Sequence, residues 1–233
     1  MSTQITTLTF FRFSSLADKF WGFKMVRNSK QFLAGIPGLE FFKSLGSGKG
    51  IGFHPLPDWS VYALLQIWTD EASAQEFFST SPLVREYDRR VQERGVFFLK
   101  NIRVGGEWSG SNPFRMHSNL DPNNSHVAVI TRATIKTRYL IPFWRYVPTA
   151  QQPIKEASGL LYTKGIGEMP IKQMATFSLW QDQASMRQFA YESNAHQKAI
   201  QLTRELNWYS EELFARFQPY HFQGKWEQQS WSF

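Results

Sequence analysis

A chain of 233 residues, 42% hydrophobic and 19% charged, is long enough for one large domain or two small ones and too apolar to stay disordered. It contains no cysteine, which excludes disulfides, thiolate metal centres and cysteine nucleophiles. A net charge of +7 admits nucleic acid, an anionic membrane face or an acidic protein as partner, and nucleic acid fits least, because the Lys and Arg residues are scattered and the RNP-type pattern of aromatics and glycine is absent.

No basic segment followed by a long apolar stretch opens the chain, and no apolar run approaches bilayer length. The run 139–147 is short and is interrupted by Pro142 and Arg145. These features read as a cytoplasmic protein that meets a membrane only peripherally. In chain order, a strand is expected over 7–13 and a helical stretch over 16–32, with strands over 39–44 and 61–68. Asp70 then stands as the N-cap of a second helix, able to accept from its first free amides. Ser81 and Pro82 restart that helix, which ends near Arg94, and its buried stripe is Val84, Tyr87 and Val91. A strand over 96–104 closes the unit. Residues 109–126, rich in Ser, Asn, Pro and Gly, read as a linker. The elements then recur: strand 127–135, helix 139–156, strands 160–164 and 174–180, N-cap Asp182, a helix ending near Leu206, and strand 213–222.

The recurrence is visible in the residues. The decapeptide Trp68 to Phe77 matches Trp180 to Phe189 at five of ten positions, displaced by 112 residues (180 − 68). Gly38–Leu39 matches Gly159–Leu160, and Gly106 and Trp108 match Gly224 and Trp226. The order β-α-β-β-α-β is the ferredoxin-like split βαβ. The fold class is therefore α+β, with units at 1–108 and 127–233 packing sheet to sheet as an intramolecular dimeric α/β barrel. Such packing is expected to leave a ligand cavity between the sheets. The aromatic content of 16% suits either a large conjugated ligand or an aromatic core.

The repeat singles out one histidine. Shifted by 112, Val84 becomes His196, so an imidazole stands where the first unit has an aliphatic on the buried stripe, followed at i+4 and i+7 by Ile200 and Thr203. A neutral imidazole there is either an axial ligand for haem iron or a hydrogen-bonded core residue. Arg204, downstream, suits a haem propionate or a solvated ion pair, and Trp208 a cavity wall. His54, His117, His126 and His221 lack chelating spacing and read as structural or solvated. The run Gly46-Ser47-Gly48-Lys49-Gly50 fails as a phosphate loop, since no Ser or Thr follows Lys49. It reads as a flexible loop bordering a pocket. Neither a nucleophile elbow nor a dinucleotide fingerprint is present.

Taken together, Pro37 to Gly48, Gly52 to Trp59, Gly106 to Gly110 with Pro113–Phe114, and Trp208 to Phe217 resemble the spheroidene monooxygenase family of carotenoid ketolases over nearly the whole chain. The resemblance implies a haem (iron) enzyme that uses dioxygen and electrons from reduced ferredoxin to oxidise an acyclic carotenoid. Two hydroxylations at one allylic carbon would give a gem-diol that loses water to a ketone. It places a histidine on the helix of His196, and His54 departs from its motif. The positive charge then suits an acidic ferredoxin. Two rival readings remain: a cofactor-free monooxygenase on the same barrel, and a non-catalytic haem or carotenoid carrier.

Overall fold

The computed structural model describes residues 2–52, 54–151, 154, 156–192, 201, 203 and 205–233. The first unit comprises β1 (Ile5–Arg12), α1 (Leu16–Asn28), α2 (Lys30–Leu33), β2 (Leu39–Gly48), β3 (Pro57–Trp68), α3 (Glu71–Thr80), α4 (Pro82–Asp88) and β4 (Glu93–Gly106). The second comprises β5 (Val127–Ile135), a 3-10 turn (Thr137–Tyr139), α5 (Leu140–Gln151), β6 (Leu160–Met169), β7 (Gln173–Trp180), α6 (Gln183–Glu192) and β8 (Tyr209–Gly224). The eight strands close into one antiparallel barrel, β1-β3-β2-β6-β7-β5-β8-β4. Each unit supplies four neighbouring strands in ferredoxin-like order, as the sequence predicts.

Local chemistry sets the element ends. Asp70 accepts from Ser73 N at 2.8 Å and Asp182 from Ser185 N at 2.7 Å, so both expected N-caps form. Ser81 caps α4 through Leu83 N, with Pro82 as its first residue. Gly38 and Gly159 have φ of +74° and +75°, and a Cβ at either would lie within 2.4 Å of a serine hydroxyl, Ser73 or Ser185. Only glycine lets the chain pass beneath the capped helix there, which is why the repeat keeps it. The second helix of the first unit stops at Asp88, short of the expected Arg94. Gln92 N already donates to Arg12 O at 2.7 Å, and Arg94 pairs with Phe11 in the β1–β4 ladder, so the sheet captures this segment. Gly46 and Gly48 lie inside β2, where a loop was expected.

The units meet along two unequal seams. The β4–β8 seam is long and carries the symmetry of the repeat: Gly95 pairs with Gly224 and Gly106 with Leu213, and both members shift by 118 residues between units (213 − 95 and 224 − 106). The β2–β6 seam has two registered pairs, Gly46–Gly167 and Ser47–Ile166. Two ion pairs clamp it, Lys43 to Glu168 at 2.6 Å and Lys164 to Asp58 at 3.0 Å, and each joins one unit to the other.

Aromatic side chains fill the barrel where a cavity between the sheets was expected. Phe10 packs on Trp226 (5.3 Å), Tyr162 (5.6 Å) and Phe177 (5.9 Å), and Phe97 packs on Phe177 and Phe222. Much of the aromatic excess is thus core. Segment 109–126 straps one end of the barrel: Phe114 is buried, Gln4 bonds Pro113 O and Arg115 N, and Gln218 bonds Asp121 N. At that end a guanidinium enters the interior. Arg132 is 2% exposed, pairs with Glu168 (3.3 Å) and Glu211, and lies 5.6 Å from the Trp108 ring. Trp108 Nε1 donates to Glu168 at 2.7 Å.

Candidate functional site

With the barrel interior filled, space for a ligand must lie outside it, and the outer faces of the two half-sheets differ. In the first unit, Thr9 pairs with Leu64 on one side and Val96 on the other. All three are buried, at most 3% exposed. One continuous apolar cluster covers this face, including Leu33 of α2, Phe77 of α3, and Val84 and Tyr87 of α4.

The second unit builds the same place differently. Ile5 faces Trp68 and Val127 faces Trp180, so β5 repeats β1 after 122 residues (127 − 5) and Thr131 is the counterpart of Thr9. Thr131 pairs with Thr176 and Phe214, the counterparts of Leu64 and Val96. Here Thr131 is exposed, Thr176 half-buried and Phe214 39% exposed. Among the described residues this face carries two separate clusters: Ile135, Phe143, Val147, Met174 and Trp208 at the α5 end, and Val127, Val129, Trp180 and Met186 at the α6 end. Between them, among the described residues, nothing packs over Thr131 and Phe214, which leaves a slot. A mid-sheet threonine exposed beside a large exposed phenylalanine costs apolar burial, as expected where a face is reserved for a ligand.

The slot has a cationic edge. Arg216 follows Phe214 by two residues on the same outward face of β8. With the Gln183 amide oxygen turned toward them, Arg216 Nη1 donates to it at 3.1 Å and Arg187 Nη2 at 2.8 Å. Guanidinium forks at the rim of an apolar slot are suited to carboxylates on a flat apolar ligand. Asp182 caps the helix that carries Gln183 and Arg187, and the amide of Ser185 holds its carboxyl below the usual carboxylate range.

His196 and Arg204, the two ligand-binding residues expected from sequence, lie outside the described residues. Their counterpart region in the first unit is described: Val84, 112 residues before His196, belongs to the cluster that seals Thr9, Leu64 and Val96. Trp208 is packed beneath α5 against Phe143 at 5.3 Å, and its Nε1 donates to Thr203 at 2.9 Å, so it is no open cavity wall. The other histidines take local roles. His54 Nδ1 accepts from Leu56 N, His117 Nδ1 accepts from Asn119 N, and the His221 ring rests on Phe98. Among the described residues no cluster of His, Asp and Glu could hold a metal ion. Sequence reasoning missed Thr131, Thr176, Phe214 and the Arg187–Arg216 pair. The repeat sets Thr176 and Phe214 where the first unit has Leu64 and Val96, but only the strand register brings them beside Thr131.

No family model matches the chain. The fold recurs in a solved aldoxime dehydratase in complex with butyraldoxime, with a TM-score of 0.61 over 93% of this chain and 79% of that one at 9% identity. A second aldoxime dehydratase gives 0.60 at 8% identity. Such identities establish shared architecture and nothing about chemistry. The sequence comparisons reach further. The spheroidene monooxygenase of Rhodobacter capsulatus is 34% identical over 223 residues, which cover 95% of this chain and 92% of that one. That of Cereibacter sphaeroides is 34% identical over 228 residues, covering 96% and 69%. That of Rubrivivax gelatinosus is 33% identical over 211 residues, covering 91% and 80%. At one-third identity along nearly its whole length, the chain belongs to the spheroidene monooxygenase family.

Proposed function

We propose that this protein oxidises an acyclic carotenoid such as spheroidene, using dioxygen and electrons from a reduced ferredoxin, with haem seated in the slot on the outer face of the second unit. The observation that carries the reading is the contrast between the two faces: the trio Thr9, Leu64, Val96 is sealed, while Thr131, Thr176, Phe214 is open. The residues fit the group. The slot floor is flat sheet with a phenyl ring, its rim carries Arg187 and Arg216, and the repeat assigns His196 to the helix position from which Val84 seals the other face.

Haem held by a histidine supplies the iron at which dioxygen and two electrons are turned against an allylic C–H bond. The chain does the rest. His196 would hold the haem iron. Arg204, Arg187 and Arg216 are the candidates to meet propionates, and Phe214 and the flanking clusters keep the slot dry. The charge of +7 favours approach of an acidic ferredoxin. The apolar substrate resides in membrane lipid, so the protein must visit a bilayer surface.

The test is an absorption spectrum of protein expressed with haem precursor, oxidised and reduced, followed by a carotenoid turnover assay. The expected result is a Soret band with about one haem per chain, lost or displaced in His196→Ala. Haem-free wild-type protein from haem-replete cells would sink the reading. Full haem content with an unchanged spectrum in His196→Ala would remove the ligand assignment.

A further inference from the structure

A cavity of about 220 Å³ lies on the outside of the barrel over the β2–β6 seam, beside the slot, its Gly165 paired with Thr176 across β6 and β7. Its floor includes Gly46, Gly48, Gly165 and Gly167. A side chain at Gly46 would meet its nearest neighbour, Gly167 O, only at 3.9 Å, so the space exists because glycine leaves it empty. Phe23 of α1, Trp59 of β3, and Met169 and Ile171 of the β6–β7 hairpin stand around it.

These walls are unusually apolar for a surface. Trp59 is 53% exposed and Ile171 45%, and Phe23, Leu56, Met169 and Ile141 are exposed too. Contacts join them: Phe23 and Trp59 meet edge to face at 5.2 Å, and Trp144 of α5, one turn beyond Ile141, donates to Ile171 O at 2.9 Å. Ile171 has φ +72°, a left-handed conformation that a β-branched residue adopts only under strain. The hairpin tip thus holds an isoleucine outward where glycine or asparagine would be easier.

Charge surrounds this patch with one sign. Lys24 and Arg27 lie on the α1 face that carries Phe20 and Phe23, Lys49 heads the β2–β3 loop, and Arg138 and Arg145 flank Ile141. Lys172 follows Ile171 and donates to Thr137 Oγ1 at 3.2 Å. The two carboxylates lining the cavity, Asp58 and Glu168, are already bound to Lys164 and Lys43. Protein–protein interface cores are poor in lysine, whereas aromatic and aliphatic side chains ringed by Lys and Arg suit the headgroup zone of an anionic bilayer. Among the described residues no helix is long and apolar enough to cross a membrane, so contact here is by the surface.

We propose that this face, centred on Phe23, Trp59 and Ile171, is the docking surface for an anionic lipid bilayer, with the mouth of the seam cavity pressed against the lipid. The inference rests on the proposed function only for the reason a bilayer is visited. The test is co-sedimentation of the purified full-length chain with phosphatidylcholine vesicles, with and without phosphatidylglycerol. Trp59→Ser with Ile171→Ser, and separately Lys24→Glu with Arg27→Glu, are compared with Met116→Ser, an exposed apolar residue on the strap. The expected result is retention on anionic vesicles, reduced about tenfold by either double variant and unchanged in Met116→Ser. Circular dichroism and thermal melting check that the variants are folded. No retention, equal retention on neutral vesicles, or retention that neither double variant alters would overturn the proposal. So would a dimer that the Trp59/Ile171 variant abolishes in a protein that ignores vesicles, which would make a second copy the occupant. Turnover plays no part in this assay: vesicle binding without carotenoid oxidation would leave the docking face standing and count against the catalytic reading, and the reverse result would do the opposite.

Discussion

The same half-sheet is built twice in this chain, and its two outer faces have been put to different use. In the first unit, Val84, Tyr87 and Phe77 close over Thr9, Leu64 and Val96, and the face is indistinguishable from an ordinary sheet–helix core. In the second, the described residues leave Thr131 and Phe214 uncovered between two small clusters. The difference teaches where to look for function in a duplicated fold. The copy that buries its face reports what stability alone requires, and each departure of the other copy marks something selected against that requirement. The departures here are an imidazole for a valine, threonine for leucine, and a guanidinium, Arg132, at the position of Phe10 (132 − 10 = 122).

That last exchange gives the largest expected effect. Phe10 and Arg132 both point into the barrel, but Arg132 is a buried cation whose pKa burial pulls below the ordinary arginine value, against the opposing pull of Glu168. Arg132→Ala leaves the carboxylates of Glu168 and Glu211 without their shared partner at the strapped end. Urea unfolding should show a loss of about 4 kcal/mol, the usual range for breaking a buried ion pair being 3–5. A loss under about 1 kcal/mol would mean that water reaches this end and that the two interior positions are not the contrast they look like.

A second experiment sharpens the contrast between the faces themselves. Leu64→Ala removes a side chain sealed beneath the helices and should cost about 3 kcal/mol. Thr176→Ala, at the same place in the open face, should cost less than about 0.5 kcal/mol, because little packing is lost. Comparable losses in the two variants would show that the slot is filled in solution and would weaken its claim to be reserved for a ligand.

Much of this was legible in the sequence because duplication supplies an internal control. The element order, both aspartate N-caps, the Ser81–Pro82 restart and the barrel arrangement follow from the repeat and from local chemistry. The strand that captures Arg94 was missed, since pairing with β1 is a long-range gain that helix periodicity does not report. The filled interior was missed because packing volume is a property of two sheets together: pocket and core draw on the same aromatic residues, and only assembly shows that Phe10, Phe97 and Trp226 meet in the middle. The slot was half legible. Val84 against His196 pointed to the right unit, but Thr131 and Phe214 carry no motif and acquire meaning only through the register that sets them beside each other.

The smallest expected effect concerns the seam clamps. Lys43 and Lys164 are repeat counterparts (164 − 43 = 121, the spacing from Gly38 to Gly159), but they reach different acids, Glu168 and Asp58. Burial alone would raise the Asp58 pKa. The hydrogen bonds from Ser60 and Lys164, together with the Lys164 charge, outweigh it and hold the carboxyl below its usual value. A folded-state pKa below the unfolded value of about 3.9 means that Asp58 stabilises the protein at and above that pH, and that this contribution fades as pH falls through the folded-state value. Asp58→Asn can keep the turn to Ser60 but gives up the ion pair. Thermal melts should therefore place the variant below the wild type by a constant margin, equivalent to about 1 kcal/mol for a pair whose lysine is buried and whose carboxylate is partly exposed, from pH 8 down to about pH 5. The two curves should converge below about pH 4, where the wild-type carboxyl takes up its proton. If the margin instead persists unchanged at pH 3, the charge on Asp58 contributes nothing, and the short β2–β6 seam is held by its two backbone pairs and the Lys43–Glu168 bridge alone.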